Sequence, residues 1–381
     1  MFSESAESLP KKLSSQASVA GLYKTLFHGL DSNEAYNEFW TQLFSSCVDD
    51  KLFMKYSQSL STLQFLSLQP TWKMLVLNAL DCASQTDHDM TANSLDILIV
   101  YFKALFKLHS SDANFVLFFS DWDSIESFLE RITRMMVEKL TLRNDIQIRK
   151  KAFYLISVLI VDSPLDNILN DYFIARSELL GALLIFGTDP ANSIIGPKCL
   201  ICLSLLLNYK RYETRNFIYF SLARLNDVKL CNHLASVFME SFWKTRMAYE
   251  IGLKKLKESQ KLKMSSFGIS KERKYLMVLF YDCVYTNDYF TKILAFKHLE
   301  NNPIFSVKAK GSGIKIGTAV SEFTGMCNQI FMNSADQLYS KLGVQTLLVL
   351  LQNDYMCNYL ITEEYHVNKS LIDLVYQLFN H

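Results

Sequence analysis

Only 12 glycines and 6 prolines punctuate the 381 residues of this chain. These two residue types supply most tight turns, so an all-β chain of this length would need many more of them. Their scarcity favours long helices joined by short polar turns. The apolar spacing agrees. Leu22, Leu26 and Phe27 form one stripe, and Tyr36, Phe39, Trp40, Leu43 and Phe44 form the next, at three- and four-residue steps. Pro70 opens a helix that carries Trp72, Leu75, Leu77 and Leu80, where its missing N–H costs nothing. The stretch from Leu95 to Leu108 is apolar almost all round, the mark of a helix buried on several sides.

The same reading continues along the chain. Asp121 is placed to cap a helix whose stripe runs Ile125, Phe128, Leu129, Ile132, Met135 and Met136. Arg143 to Val161 is the next helix, stopped by Asp162-Ser163-Pro164. Further helices are expected at 172–187, 197–209, 214–224, 227–258, 270–286, 288–299, 318–332, 335–352 and 369–380. Helices of this length with short connections predict an all-α fold. The expected architecture is an armadillo/HEAT-like α-solenoid of stacked helical hairpins, with a period of roughly forty residues. Residues 1–15 read as a disordered tail and 16–381 as the solenoid, with long loops near 255–270 and 301–317. The final helix, with Leu371, Ile372, Leu374, Val375, Tyr376, Leu378 and Phe379, is expected to cap the array or to pair with another subunit.

Composition narrows the functional classes. Lys and Arg total 39 against 38 Asp and Glu, a formal charge of +1, so no global basic field points to nucleic acid. The most apolar stretches, Ala152–Val161 and Leu179–Gly187, fall short of the ~20 apolar residues a bilayer span needs. The start of the chain is Ser- and Lys-rich and lacks an apolar signal core. Eight scattered cysteines therefore read as free thiols in a reducing, cytoplasmic setting.

Three motifs invite chemistry. Cys199-x-x-Cys202 lacks the second pair or the two spaced histidines of a zinc site, and reads as core packing. Gly311-Ser312-Gly313-Ile314-Lys315-Ile316-Gly317 matches no phosphate-loop spacing and follows no strand. Asp87-His88-Asp89 places its side chains in different directions, as a solvated turn does. The expectation is no catalytic group, no metal and no cofactor. The basic stretch Lys254, Lys255, Lys257, Lys261, Lys263, Lys271, Arg273 and Lys274 reads two ways. It is either a solvated helix end with a mobile loop, or a contact for anionic lipid at a cytoplasmic leaflet.

Leu203 to Glu213 is an apolar helix ending in Asn-Tyr-Lys-Arg-Tyr-Glu. With Phe39-Trp40-Thr41-Gln42-Leu43-Phe44, Asn287 to Ala295 and Leu342 to Leu360, it resembles the armadillo-like helical domain-containing protein 3 family, colinearly from about residue 36 to residue 372. The resemblance implies a non-catalytic adaptor at the Golgi. Such a factor would bind the beta-type phosphatidylinositol 4-kinase, support phosphatidylinositol 4-phosphate and secretion, and act with an Arf-like GTPase. The family's members are longer, extending into a C-terminal helical half. A kinase-contacting Phe-Leu-His run of that family matches Tyr359-Leu360-Ile361, with Ile361 departing from histidine. The alternatives are a peripheral membrane scaffold acting through 254–274 and a transport receptor of the importin kind, the latter from architecture alone.

Overall fold

The computed structural model describes residues 18–29, 36–85, 87–108, 122–142, 145–163, 168–258, 270–295, 323–324, 326–327 and 337–353. The expected tail at 1–15, the loop at 301–317 and the closing helix at 369–380 lie outside these residues. Every regular element among the described residues is a helix. In order they are α1 (Val19–His28), α2 (Tyr36–Ser45), α3 (Asp50–Ser59), α4 (Thr62–Ser67), α5 (Gln69–Ala83), α6 (His88–Leu108), α7 (Trp122–Thr141) and α8 (Ile146–Ser157). There follow α9 (Ile168–Ile174), α10 (Ser177–Gly187), α11 (Gly196–Asn208), α12 (Phe217–Ala223), α13 (Val228–Glu258), α14 (Lys271–Thr286), α15 (Asp288–Ala295) and α16 (Gln337–Gln352). The fold is all-α and built of stacked helical pairs, the α-solenoid class. Two compact units partition the chain: 1–136 with 154–167, and 137–153 with 168–381.

In the first unit α6 is the central helix, packed by α2, α3 and α5. Its all-round apolar sequence follows from that position, with Leu95, Leu98, Tyr101, Phe102 and Leu105 all buried. The core is aromatic. Phe27 meets Phe53 at 5.0 Å and Trp72 at 5.2 Å, while Phe65 stacks on Trp72 at 4.9 Å. Trp72 is fully buried yet polar at one atom, and its Nε1–H donates to the Phe65 carbonyl at 2.9 Å. Asp87 caps α6 by accepting from the Met90 amide, and His88 and Asp89 sit exposed in its first turn.

In the second unit α10 packs on α11, α11 on α14, and α14 on α13, α15 and α16. Phe238, Phe242, Phe280, Phe290 and Phe323 form its aromatic core, with centroid separations of 4.9 to 6.4 Å. Cys199 and Cys202 are buried in α11, and the Cys199 thiol donates to the Leu183 carbonyl. The α10–α11 turn depends on two glycines. A Cβ on Gly187 would stand 2.7 Å from Leu200 Cδ2, and one on Gly196 would collide with the Gly187 carbonyl oxygen. Arg149, 4 % exposed, ties this turn to α8 by pairing with Asp189 at 2.6 Å and donating through Nε to the Leu140 carbonyl.

With glycine scarce, helix ends are closed by asparagine. Asn216 caps α12 by accepting from the Tyr219 amide, while its Nδ2 donates to the carbonyls of Leu206, Leu207 and Tyr209 at the end of α11. Asn287 does the same for α15: it accepts from the Phe290 amide and donates to the carbonyls of Leu222, in the last turn of α12, and Leu225 just beyond it. Asn192 donates to the Phe186 carbonyl at the end of α10. Asn216 and Asn287 each satisfy a helix start and a helix end together, the groups that would otherwise be orphaned.

Candidate functional site: an arginine ringed by tyrosines

The α11–α12 turn, Tyr209 to Asn216, carries the most distinctive local chemistry of the second unit. It begins in strain. Lys210 has φ +46° and is the one non-glycine residue with positive φ among the described residues. Its Nζ binds Asp171 of α9 at 2.7 Å, which helps hold that conformation. Arg211 follows and turns inward. Its Nη1 lies 3.0 Å from Asp282 Oδ1 of α14, with side chains 15 % and 1 % exposed. Asn208, the last residue of α11, donates to the other carboxylate oxygen at 2.7 Å.

Four tyrosine rings surround the guanidinium. Its carbon stands 5.4 Å from the Tyr219 centroid, 5.7 Å from Tyr281, 5.7 Å from Tyr285 and 6.0 Å from Tyr212. Tyr281 and Tyr285 are one helical turn apart on α14, which is why their rings stack, at 5.6 Å. Ring faces are electron-rich and attract a cation, so the cluster holds Arg211 by two means, charge and cation–π contact. The Asp282 carboxyl is pushed up to about 6, because burial outweighs the opposing pull of Arg211 and Asn208. Burial also raises the Tyr281 phenol.

Outward, this turn and its neighbours expose large aromatic side chains. Tyr212 is 93 % exposed and Tyr285 56 %, and Phe217 and Phe220 of α12 are also exposed. Tyrosine and arginine together are the residue types that dominate binding energy at protein interfaces, because they bring area and hydrogen bonding at low entropic cost. The arrangement offers recognition. It includes no nucleophile aligned with a base.

The residues singled out in the sequence are distributed differently. Tyr359, Leu360 and Ile361 lie outside the described residues, as do Lys261, Lys263 and the Gly311–Gly317 run. Lys254, Lys255 and Lys257 fall near the C-terminal end of α13. Lys271 is exposed in the first turn of α14, with Arg273 and Lys274 half-buried behind it. Asn-Tyr-Lys-Arg-Tyr-Glu was conspicuous as a sequence, but Asp282, its partner 74 residues from Asn208, carried no local signal.

No family model matches the chain. An engineered protein of known crystal structure aligns with 84 % of this chain and 98 % of its own at 12 % identity, with a TM-score of 0.31. Among the described residues no helix is long and apolar enough to cross a membrane. The chain is 18 % identical over 236 residues, 61 % of its length, to armadillo-like helical domain-containing protein 3 of Homo sapiens, and it spans about a third (34 %) of that relative's length.

Proposed function

We propose that this chain is a non-catalytic helical adaptor that binds protein partners. The observation that carries this reading is the tyrosine-ringed Arg211 surface, built by α11, α12 and α14 and left open to solvent at Tyr212 and Tyr285. The likeness to an armadillo-like helical protein supports the same class. In its finer form the proposal is a peripheral Golgi factor. Its partner is the beta-type phosphatidylinositol 4-kinase, an Arf-like GTPase is a further partner, and Tyr359, Leu360 and Ile361 form a second contact. The test is calorimetric titration of purified kinase into the chain, into Tyr212→Ala/Tyr285→Ala, and into Tyr359→Ala/Leu360→Ala. Binding weakened tenfold or more by one double substitution assigns the contact. Absence of binding by the unaltered chain removes the kinase from the account.

A second reading has its own support. Lys271, Arg273 and Lys274 occupy the N-terminal turn of α14, where the helix dipole disfavours cations, and only Glu272 there is favourably signed. Cations kept in such a place suit an external anion. The proposal is that 254–274 contacts anionic lipid. Flotation with phosphatidylserine vesicles should be lost on charge reversal at Lys254, Lys255 and Lys257. Flotation that survives the reversal removes the stretch.

A further inference from the structure

The two ends of the Tyr209–Asn216 turn are anchored by different chemistry. At its far end Asn216, fully buried, holds four backbone groups through an amide that does not titrate. At its near end the anchors are two carboxylates, Asp171 on Lys210 and the buried Asp282 on Arg211 and Asn208. Asp282 takes Asn208 on one oxygen and faces the Arg211 guanidinium with the other. The titratable groups around this pair come from the turn, α12, α13 and α14. The turn brings Lys210, already bound to Asp171, and Tyr212; α12 brings Tyr219; α14 itself brings Tyr281, Cys283 and Tyr285. From α13, Cys231 faces Cys283. Among the described residues, Arg211 is the one cation paired with the Asp282 carboxyl.

We propose that Asp282 is a protonation-controlled latch for the tyrosine surface: as a carboxylate it holds Arg211 and the turn in place, and on protonation it releases them. The chemistry follows from the contacts. A neutral carboxyl keeps an oxygen for the Asn208 amide but gives up its charge attraction for the guanidinium. Arg211 is then a largely buried cation without a counter-charge, and its buried Nε has no acceptor. Such an ion moves toward water. An outward swing of Arg211 breaks its cation–π contacts with Tyr212 and Tyr219, and the positive φ at Lys210 beside it supplies stored strain for movement of the turn. The raised titration range of Asp282 puts the change near pH 6, within reach of mild acidification. The inference stands apart from the adaptor reading, because it concerns the conformation of the turn whether or not a partner binds.

The test is amide hydrogen exchange on the full chain from pH 5 to pH 7.5, with protection at residues 209–216 corrected for the intrinsic rate at each pH. Protection of the turn should fall at least tenfold on acidification, with a midpoint near 6, while the interior of α11 stays unchanged. In Asp282→Asn the turn should be weakly protected at every pH. Should that variant fail to fold, carboxyl carbon resonances of the unaltered chain serve instead, with one aspartate titrating in step with the exchange. Protection that does not vary with pH overturns the latch. So does a pH response that persists in Asp282→Asn.

Discussion

The sharpest contrasts in this molecule are between residues of the same type. Gly181 and Gly196 both lie in helices, but a Cβ on Gly181 meets nothing within 4 Å, whereas one on Gly196 collides with backbone. In a helix alanine outranks glycine by up to about 1 kcal/mol because it loses less backbone entropy. Gly181→Ala should therefore raise the melting temperature slightly. Gly196→Ala should lower it, by about 1–3 kcal/mol of stability, since the α10–α11 turn must open to admit the methyl group. Chemical denaturation of the two variants measures both signs. Asn216→Ala should cost about 2–4 kcal/mol, a lost cap plus buried carbonyls left without donors. Tyr212→Ala, by contrast, should leave stability within about 0.5 kcal/mol, as expected of an exposed side chain, so any loss of partner binding there is a loss of contact.

Among the elements, α14 carries a carboxyl whose charge is made costly by burial. Its Asp282 has a folded-state titration point of about 6 against 3.8 for the free group. Between those values the folded chain holds a proton that the unfolded chain has lost, so this residue's contribution to stability falls as pH rises from 4 to 6. Comparing Asp282→Asn with the unaltered chain at pH 4.5 and pH 7 should isolate that slope, on the order of 2 kcal/mol. The global and local effects point in opposite directions. Protonation relieves a buried charge and steadies the fold while loosening the turn that the charge restrained.

Most of the elements were legible in the sequence, because amphipathic spacing and Pro70 are local signals. Two breaks were not. The helix expected at 172–187 is divided into α9 and α10 at Ala175-Arg176, with no glycine or proline there; Arg176 stacks on the Tyr172 ring at 4.4 Å across the break. The helix expected to run from Arg143 to Val161 instead ends its α-geometry at Ser157 and closes in a wider π-turn, Val158–Asp162. The Arg211 cluster was half legible. Its tyrosines and basic pair stood in one run, but the carboxylate that organises them belongs to a helix that only tertiary packing brings alongside.

For the whole molecule, the cysteines offer a way to follow folding. All seven described are free thiols. Cys47 is exposed and Cys82 half-buried, both in the first unit; Cys199, Cys202, Cys231, Cys283 and Cys327 are buried, all in the second. Burial raises the thiols of Cys199, Cys231, Cys283 and Cys327, which suppresses the reactive thiolate. A thiol reagent at pH 8 should modify Cys47 within mixing time and these four at least a hundredfold more slowly. Their rate should then report opening of the second unit. Mass spectrometry of peptides from a time course decides the order of labelling.

Connecting segments are ordinarily where a protein best tolerates added residues. The Asn216 clamp reverses that rule between α11 and α12. Asn216 reaches three carbonyls of the preceding helix end, 7 to 10 residues back, and that reach is fixed by the number of residues between the groups it joins; Asn287 reaches two carbonyls 65 and 62 residues back. One residue inserted between Tyr209 and Asn216 would pull the amide away from all its acceptors at once. The joint between α11 and α12 is thus inelastic, and variation in length has to be absorbed elsewhere along the chain.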